Sequence, residues 1–167
     1  KTYLAFHKPL GVLSTMSDPE DRPCLSDYFL DWQERLFHVG RLDKESEGLI
    51  IVTNDGQWAH EATHPSFEVK KTYLVATEET LPRAAFDLLS RGVELDDGLA
   101  RPLAVNRFGG FTEIVIHEGR NHVVRRIFDE IGFPVTRLIR TAFGSIKLGE
   151  LPSGKWRALN EVEITNL

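Results

Sequence analysis

The sequence has a single cysteine and no long apolar segment. Cys24 can form neither an intramolecular disulfide nor a cysteine-built zinc site, which favours a reducing, cytoplasmic compartment. No apolar run approaches the roughly 18 to 20 residues that span a bilayer, and no signal-peptide pattern is present. These absences argue against a disulfide-stapled or membrane-bound protein, and we expect no membrane partner.

Positive charge is also scarce, since 20 lysines and arginines stand against 25 aspartates and glutamates for a net charge of -5. A protein that coats nucleic acid nonspecifically needs the opposite balance, which excludes that class. Between residues 120 and 147, however, six basic residues meet only two acids. The six are Arg120, Arg125, Arg126, Arg137, Arg140 and Lys147. This segment is either ordinary surface charge or a face that contacts phosphate.

Familiar cofactor and metal motifs are missing as well. The sequence contains no Walker loop, no dinucleotide fingerprint after a strand and no His-Glu-x-x-His. His60 and His64 are four residues apart, but Pro65 follows at once and no third ligand is apparent. We therefore expect neither a cofactor nor a metal ion.

Short strands outnumber helices along the chain. Alternating or β-branched segments predict strands over residues 3–6, 49–53, 70–77, 111–117, 134–141, 145–148 and 162–164. Helical spacing predicts helices over 57–63, over 82–91 with Thr80 as N-cap and Gly92 as stop, and over 121–131 between Asn121 and Gly132. Because helices do not alternate regularly with strands, we predict one α+β domain with a largely antiparallel or mixed sheet.

A polar loop between two glycines presents one carboxylate. The segment Gly40-Arg41-Leu42-Asp43-Lys44-Glu45-Ser46-Glu47-Gly48 leads directly into the apolar strand predicted over 49–53. Folds often display reactive groups on such loops. An aspartate in this setting is also a common turn former or ion-pair partner, so the loop alone leaves both roles open.

The same loop carries a family resemblance. Gly40-Arg41-Leu42-Asp43 followed by Ser46-x-Gly48-Leu49 resembles the central motif of RNA pseudouridine synthases, specifically the RsuA-like class that modifies ribosomal RNA. Further matches follow in the expected order: Lys8-Pro9-x-Gly11, Lys71-x-Tyr73-x-Val75, Glu118-Gly119-Arg120-Asn121-His122-x-Val124-Arg125-Arg126, Gly132-x-Pro134-Val135 and Leu138-x-Arg140. Together they cover nearly the whole chain. The departure is Val123, where the family more usually has glutamine.

The resemblance implies a fold and a substrate. The fold would be the pseudouridine synthase fold, a mostly antiparallel mixed sheet in two lobes with flanking helices and a central cleft. Residues 1–167 would form one catalytic domain, with the small N-terminal RNA-binding domain of many relatives absent or cut off. The substrate would be a uridine of ribosomal RNA, more readily of the large subunit, acted on by a monomer without a cofactor.

The resemblance also implies roles for single residues. Asp43 would be the catalytic carboxylate that acts at the ribose as nucleophile or base while uracil is detached and rejoined through carbon. Arg125 would pair with Asp43, hold it ionised and orient it, with Arg126 as the fallback. The alternative for Arg125 is a surface ion pair with Asp129 one helical turn on. Tyr73 would pack against the target base as a further catalytic residue.

The remaining candidates are basic residues expected to bind RNA. Arg41, beside Asp43, would help to extrude the nucleotide from its stack. Contacts to the RNA backbone are expected from a group of five: Lys8, Arg120, Arg126, Arg137 and Arg140. For Lys8 the alternative is a structural one, in which it braces the cleft.

Two other functions stay open. The first is an RNA-binding module without catalysis, against which the intact set of Asp43, Tyr73 and Arg125 speaks. The second is a carboxylate-pair hydrolase that uses Asp43 with Glu45 or Glu47, because glycoside cleavage also needs an acid and a nucleophile near an anomeric carbon.

Overall fold

A mixed sheet of nine strands organises the molecule, which the computed structural model describes over all of residues 1–167. The strands are β1 (Tyr3–Lys8), β2 (Phe37–Val39), β3 (Glu47–Thr53), β4 (Lys71–Thr77), β7 (Ala104–Phe108), β8 (Phe111–Ile116), β9 (Val135–Phe143), β10 (Ile146–Lys147) and β11 (Trp156–Ala158). β5 (Val93–Leu95) and β6 (Gly98–Ala100) form a separate hairpin. The helices are α1 (Gly56–Thr63), α2 (Arg83–Arg91), α3 (Val123–Glu130) and α4 (Glu161–Thr165). None of them is long and apolar enough to cross a membrane.

The sheet follows the order β11-β1-β3-β9-β4-β8-β7, with β2 paired to β3 and β10 to β9. Only β3 and β9 run parallel among its strands, and every other pair is antiparallel. Two antiparallel groups of strands therefore meet along the β3–β9 junction. The predicted α+β class with a mostly antiparallel mixed sheet is confirmed.

Side-chain alternation along the central strands builds a core on each face of the sheet. In β3, Ile50 and Val52 enter the larger hydrophobic cluster, which also contains Phe128 of α3. Leu49 and Ile51 point the other way, into a smaller cluster beside α1 and the C-terminal segment. Because both faces of β3 are covered, its residues read as one continuous apolar run.

At the parallel junction the backbones of β3 and β9 approach closely. Gly48 has φ +111°, and a Cβ atom added there would lie 2.2 Å from the carbonyl oxygen of Arg140. No side chain fits at this position, so the second glycine of the Asp43 loop is required by packing as well as by backbone conformation.

The helices differ from prediction mainly at their ends. α2 begins one residue late, with Pro82 rather than Thr80 at its N-cap, and ends before Gly92 as predicted. The predicted Asn121 cap of α3 is wrong, because the cap is His122 in a left-handed conformation with φ 52°. The apolar spacing of α3 is confirmed, since Ile127 and Phe128 are fully buried.

The strand predicted over residues 162–164 is wrong. These residues lie in α4, where the Asn160 side chain accepts a hydrogen bond from the Glu163 amide and the Glu163 carboxylate accepts one from the Asn160 amide. This reciprocal capping box stabilises a helix one turn long. Val162 and Ile164 merely resemble strand alternation because they flank one glutamate.

Candidate active site

A cleft of about 690 Å³ opens between the Asp43 loop and the start of α3. One side of the cleft, the Asp43 wall, consists of residues 40–48, and the opposite side, the α3 wall, consists of residues 118–126. β4 and β9 supply the surface between them. The residues that matter for the chemistry are Asp43, Lys71, Tyr73, His122, Arg125 and Arg140.

The Asp43 wall is held in place by buried backbone contacts. Ser14 Oγ accepts from the Leu42 amide at 3.0 Å and donates to the Leu42 carbonyl at 2.5 Å. The Ser46 amide donates to the Asp43 carbonyl, and the Gly11 amide donates to the Lys44 carbonyl. The Asp43 side chain is one-third exposed, so a fixed backbone presents a carboxylate that substrate can reach.

The partner of the Asp43 carboxylate is a histidine. Nδ1 of His122 lies 2.9 Å from Oδ2 of Asp43, and the histidine side chain is 45% exposed. The left-handed backbone of His122 is uncommon for any residue other than glycine, even for histidine, asparagine and aspartate, which adopt it more often than the rest, and such conformations concentrate at functional sites. His122 belongs to one of the matched motifs, but sequence reasoning assigned it no role.

The predicted ion pair between Arg125 and Asp43 is absent from the structure. Arg125 instead donates from Nη2 to the Glu45 carbonyl at 2.9 Å and to Ser46 Oγ at 3.3 Å. The alternative pair with Asp129 is absent as well. Arg125 therefore ties the α3 wall to the Asp43 wall through the loop backbone, and its buried Nε has no partner.

Tyr73 lies in the middle of β4 on the surface between the walls. Its Cα pairs with that of Arg140 in β9, and only 9% of the residue is exposed. It belongs to the larger hydrophobic cluster while also lining the cleft. The ring is thus fixed by the core on one side and available to a flat ligand on the other.

The sequence matches the family model for RNA pseudouridylate synthases over residues 2–130. The chain belongs to this family. It is 46% identical to an uncharacterized RNA pseudouridine synthase of Mycobacterium leprae, over 99% of the chain and 68% of that protein. It is 34% identical to the ribosomal large subunit pseudouridine synthase B of Bacillus subtilis, over 99% of the chain and 70% of that protein. A crystal structure of a pseudouridylate synthase, 30% identical, superposes with a TM-score of 0.90 over 99% of the chain and 73% of that structure. The protein is therefore an RNA pseudouridine synthase.

Two of the basic residues expected on the RNA face of the synthase are buried instead. Lys8 has no exposed surface and donates to the carbonyls of Pro9 at 3.0 Å and Val12 at 2.7 Å. Burial, only partly offset by nearby acids, lowers the pKa of Lys8 to about 8. The predicted RNA contact of Lys8 is wrong in this structure, because its long stem carries the ammonium into the turn after β1, where it braces the fold.

Arg140 is the second buried cation, with 2% of the residue exposed. Its Nε donates to the Leu49 carbonyl at 2.8 Å and its Nη1 to the Arg41 carbonyl at 3.4 Å. It therefore supports the Asp43 wall from within the sheet, and the predicted direct contact of Arg140 with the RNA backbone is wrong.

The other arginines of the synthase lie at the rim and are paired with acids. Arg120 contacts Glu118 at 2.5 Å and Asp97 at 2.7 Å, and Arg126 shares the same Asp97 at 3.0 Å. Arg137 pairs with Glu47 at 2.9 Å. Asp97 belongs to the turn of the β5–β6 hairpin, so these pairs brace the α3 wall from outside. Exposed pairs of this kind are weak, and phosphate can compete for the arginines.

The two carboxylates expected to pair with Asp43 in a hydrolase do not line the cleft. Glu47 is engaged by Arg137, and neither Glu45 nor Glu47 lines the cavity with Asp43. Arg41 is exposed at the cleft, where a nucleotide could meet it. The site thus offers the Asp43 carboxylate, one aromatic ring and several cations, while Glu68 and the Arg120-bound Glu118 also line the cleft.

Proposed function

We propose that the synthase converts a uridine of ribosomal RNA, more specifically of the large-subunit RNA, into pseudouridine with Asp43 acting at the ribose. The observation that carries the assignment of Asp43 is its position: it is the one carboxylate of the Asp43 wall that lines the cleft shared with Tyr73. The choice of RNA is supported by the Bacillus subtilis relative, which is named for the large ribosomal subunit.

The reaction is an isomerisation, so every atom of the nucleotide is conserved apart from protons. The C1′–N1 bond breaks and its electron pair leaves with uracil, which is then rotated. A bond forms from C1′ to C5, the proton on C5 is lost and N1 takes up a proton. Asp43 serves as nucleophile at C1′ or as base in the opening step, and no electrons are exchanged with a cofactor.

The surrounding residues would hold the nucleotide while these bonds change. Tyr73 offers its ring to the detached uracil, which must stay in the cleft during rotation. His122 orients the Asp43 carboxylate through its 2.9 Å contact. Arg41, exposed beside the catalytic loop, is placed to grip the nucleotide as it leaves its stack.

The broader setting is proposed on the same basis. Arg120, Arg126 and Arg137 would exchange their acidic partners for RNA phosphates, which makes binding sensitive to salt. The protein would act as a monomer in the cytoplasm. Arg125 stays in the proposed catalytic set because it joins the two walls beside Asp43.

The test is to map the product on RNA. Unmodified transcripts of the large- and small-subunit ribosomal RNAs are incubated with the protein, treated with a carbodiimide that leaves stable adducts on pseudouridine, and read by primer extension. We expect a new stop at one uridine of the large-subunit RNA. Stops confined to the small-subunit RNA would overturn the choice of subunit. RNA binding without any stop would favour a binding module.

A further inference from the structure

Two cations beside Tyr73 have no acidic partner. Lys71 begins β4 and is partly buried, and it forms no salt bridge with an acid. Arg140 is 98% buried, and its Nη2 has no hydrogen-bond partner. Both residues line the cleft. An unpaired buried polar atom is unusual in a folded protein and calls for an explanation.

The two positive charges also repel each other. The pKa of Lys71 is lowered first by burial and then by the charge of Arg140, and only Glu118 acts in the opposite direction. Glu118 is already engaged by Arg120 at 2.5 Å. The free protein therefore holds two neighbouring cations with only the shared carboxylate of Glu118 acting on Lys71, an arrangement that a bound anion would stabilise.

The position of this pair suggests which anion is meant. Lys71 and Tyr73 are two residues apart on one strand, so their side chains leave the same face of the sheet. Arg140 is the register partner of Tyr73 in the adjacent strand. Nζ of Lys71 lies under the α3 wall, 3.6 Å from the position that a Cβ of Gly119 would occupy. When a uracil base lies against Tyr73, a phosphate group of the same nucleotide would lie close to Lys71 at the α3 wall.

We propose that Lys71 and Arg140 form a subsite for one phosphate group of the nucleotide held in the cleft, with Lys71 in direct contact and Arg140 adding charge from within the wall. This proposal rests on the function proposed above. A phosphate fits better than a uracil carbonyl, because two unpaired cations call for a formal negative charge.

The experiment compares two small ligands that differ by one charged phosphate ester group. Uridine and the 5′-methyl ester of uridine monophosphate, which carries a single negative charge like an RNA phosphodiester, are titrated by proton NMR of uracil H6. The parent protein should bind the charged ligand roughly tenfold more tightly than uridine. In Lys71→Met this preference should fall to about one, and in Lys71→Arg it should largely persist.

Two controls keep the result specific. Lys155→Met removes an exposed lysine that does not line the cleft and should leave the preference unchanged. The thermal midpoint of Lys71→Met should equal or exceed that of the parent, because a repelled, partly buried charge is lost. This separates a ligand subsite from a structural lysine, whose removal would lower the midpoint.

An unchanged preference in Lys71→Met would overturn the proposal, as would equal binding of uridine and its charged ester by the parent. Inorganic phosphate, followed by phosphorus NMR, should bind more weakly than the nucleotide ester, and equal binding would assign the subsite to free phosphate instead. Since no turnover is needed, this result is independent of the RNA mapping: failure of the mapping with a retained charge preference would refute the proposed function alone.

Discussion

The two walls of the cleft are held by different forces. The Asp43 wall rests on buried hydrogen bonds from Ser14 and Arg140 and on the backbone contact at Gly48. The α3 wall is braced from outside by the exposed pairs of Arg120 and Arg126 with Asp97. Buried contacts fix a geometry in advance, whereas exposed pairs exchange readily with phosphate. The Asp43 wall is therefore held in one geometry, whereas the arginines of the α3 wall can exchange their acidic partners for RNA phosphates.

The largest expected effect is a loss of stability when Gly48 of the Asp43 wall is substituted. Gly48→Ala places a Cβ against the Arg140 carbonyl at a positive φ, so we expect the free energy of unfolding to fall by about 4 kcal/mol or more. Urea denaturation measures the loss. Gly110→Ala is the matched control, because nothing lies within 4 Å of its Cβ, and it should change stability by less than about 1 kcal/mol. Similar losses in both would contradict the close-packed junction.

A second effect concerns the buried ammonium of Lys8, which braces the turn after β1. The folded pKa of Lys8 is about 8, below its ordinary 10.5, so the unfolded chain binds more protons between these two values. The parent should then gain about 2 kcal/mol of stability from pH 7.5 to 9.5 relative to Lys8→Met. Unfolding titrations of both proteins across this range measure the gain. Parallel pH curves would show that Lys8 keeps an ordinary pKa and is not buried.

The contact between the walls gives a third test. His122→Ala removes the imidazole that contacts Asp43 and places alanine in a left-handed conformation, so we expect the turnover rate to fall about tenfold. His122→Asn tolerates that backbone and can still donate, and it should recover part of the rate. Single-turnover kinetics at saturating RNA separate the rate from binding. Equal loss in both variants would show that a polar contact of residue 122 with Asp43 does not contribute to the turnover rate.

The smallest effect is a change in RNA affinity, expected at the α3 wall. Asp97→Asn removes the only acidic partner of Arg126 and one of the two acidic partners of Arg120, so RNA affinity should rise about two- to threefold at low salt and the gain should disappear at high salt. Asp87→Asn changes the net charge equally from an exposed site on α2 and serves as control. Filter binding at two ionic strengths measures both. Weaker binding by Asp97→Asn would mean that the pairs shape the RNA site instead of competing with it.

The sequence alone predicted the elements that have a periodic apolar pattern and the loop that carries the family motif. The apolar run of β3 and the helical spacing of α3 follow from side-chain periodicity, and the loop with Asp43 follows from the family motif. α4 was mistaken for a strand, because one helical turn is too short to show its period. β7 was not predicted, since its residues are mostly exposed and lack an apolar face.

Contacts that depend on tertiary placement could not be predicted. Lys8 and Arg140 have long aliphatic stems that allow a charge to be buried, and residue type does not reveal that choice. The pairing of His122 with Asp43 depends on a left-handed residue at the start of α3, which no spacing rule indicates. Arg125 was expected to contact the Asp43 side chain, but its Nη2 donates to the Glu45 carbonyl of the same loop and its buried Nε has no partner.

The most direct test of the central claim is tritium release from ribosomal RNA labelled at uridine C5, compared for the parent, Asp43→Asn and Glu45→Gln. We expect release by the parent and by Glu45→Gln, and none by Asp43→Asn, which keeps the shape of the side chain but removes its charge. Release by Asp43→Asn at the parental rate would contradict the role of Asp43 and, with it, the mechanism proposed for this cleft.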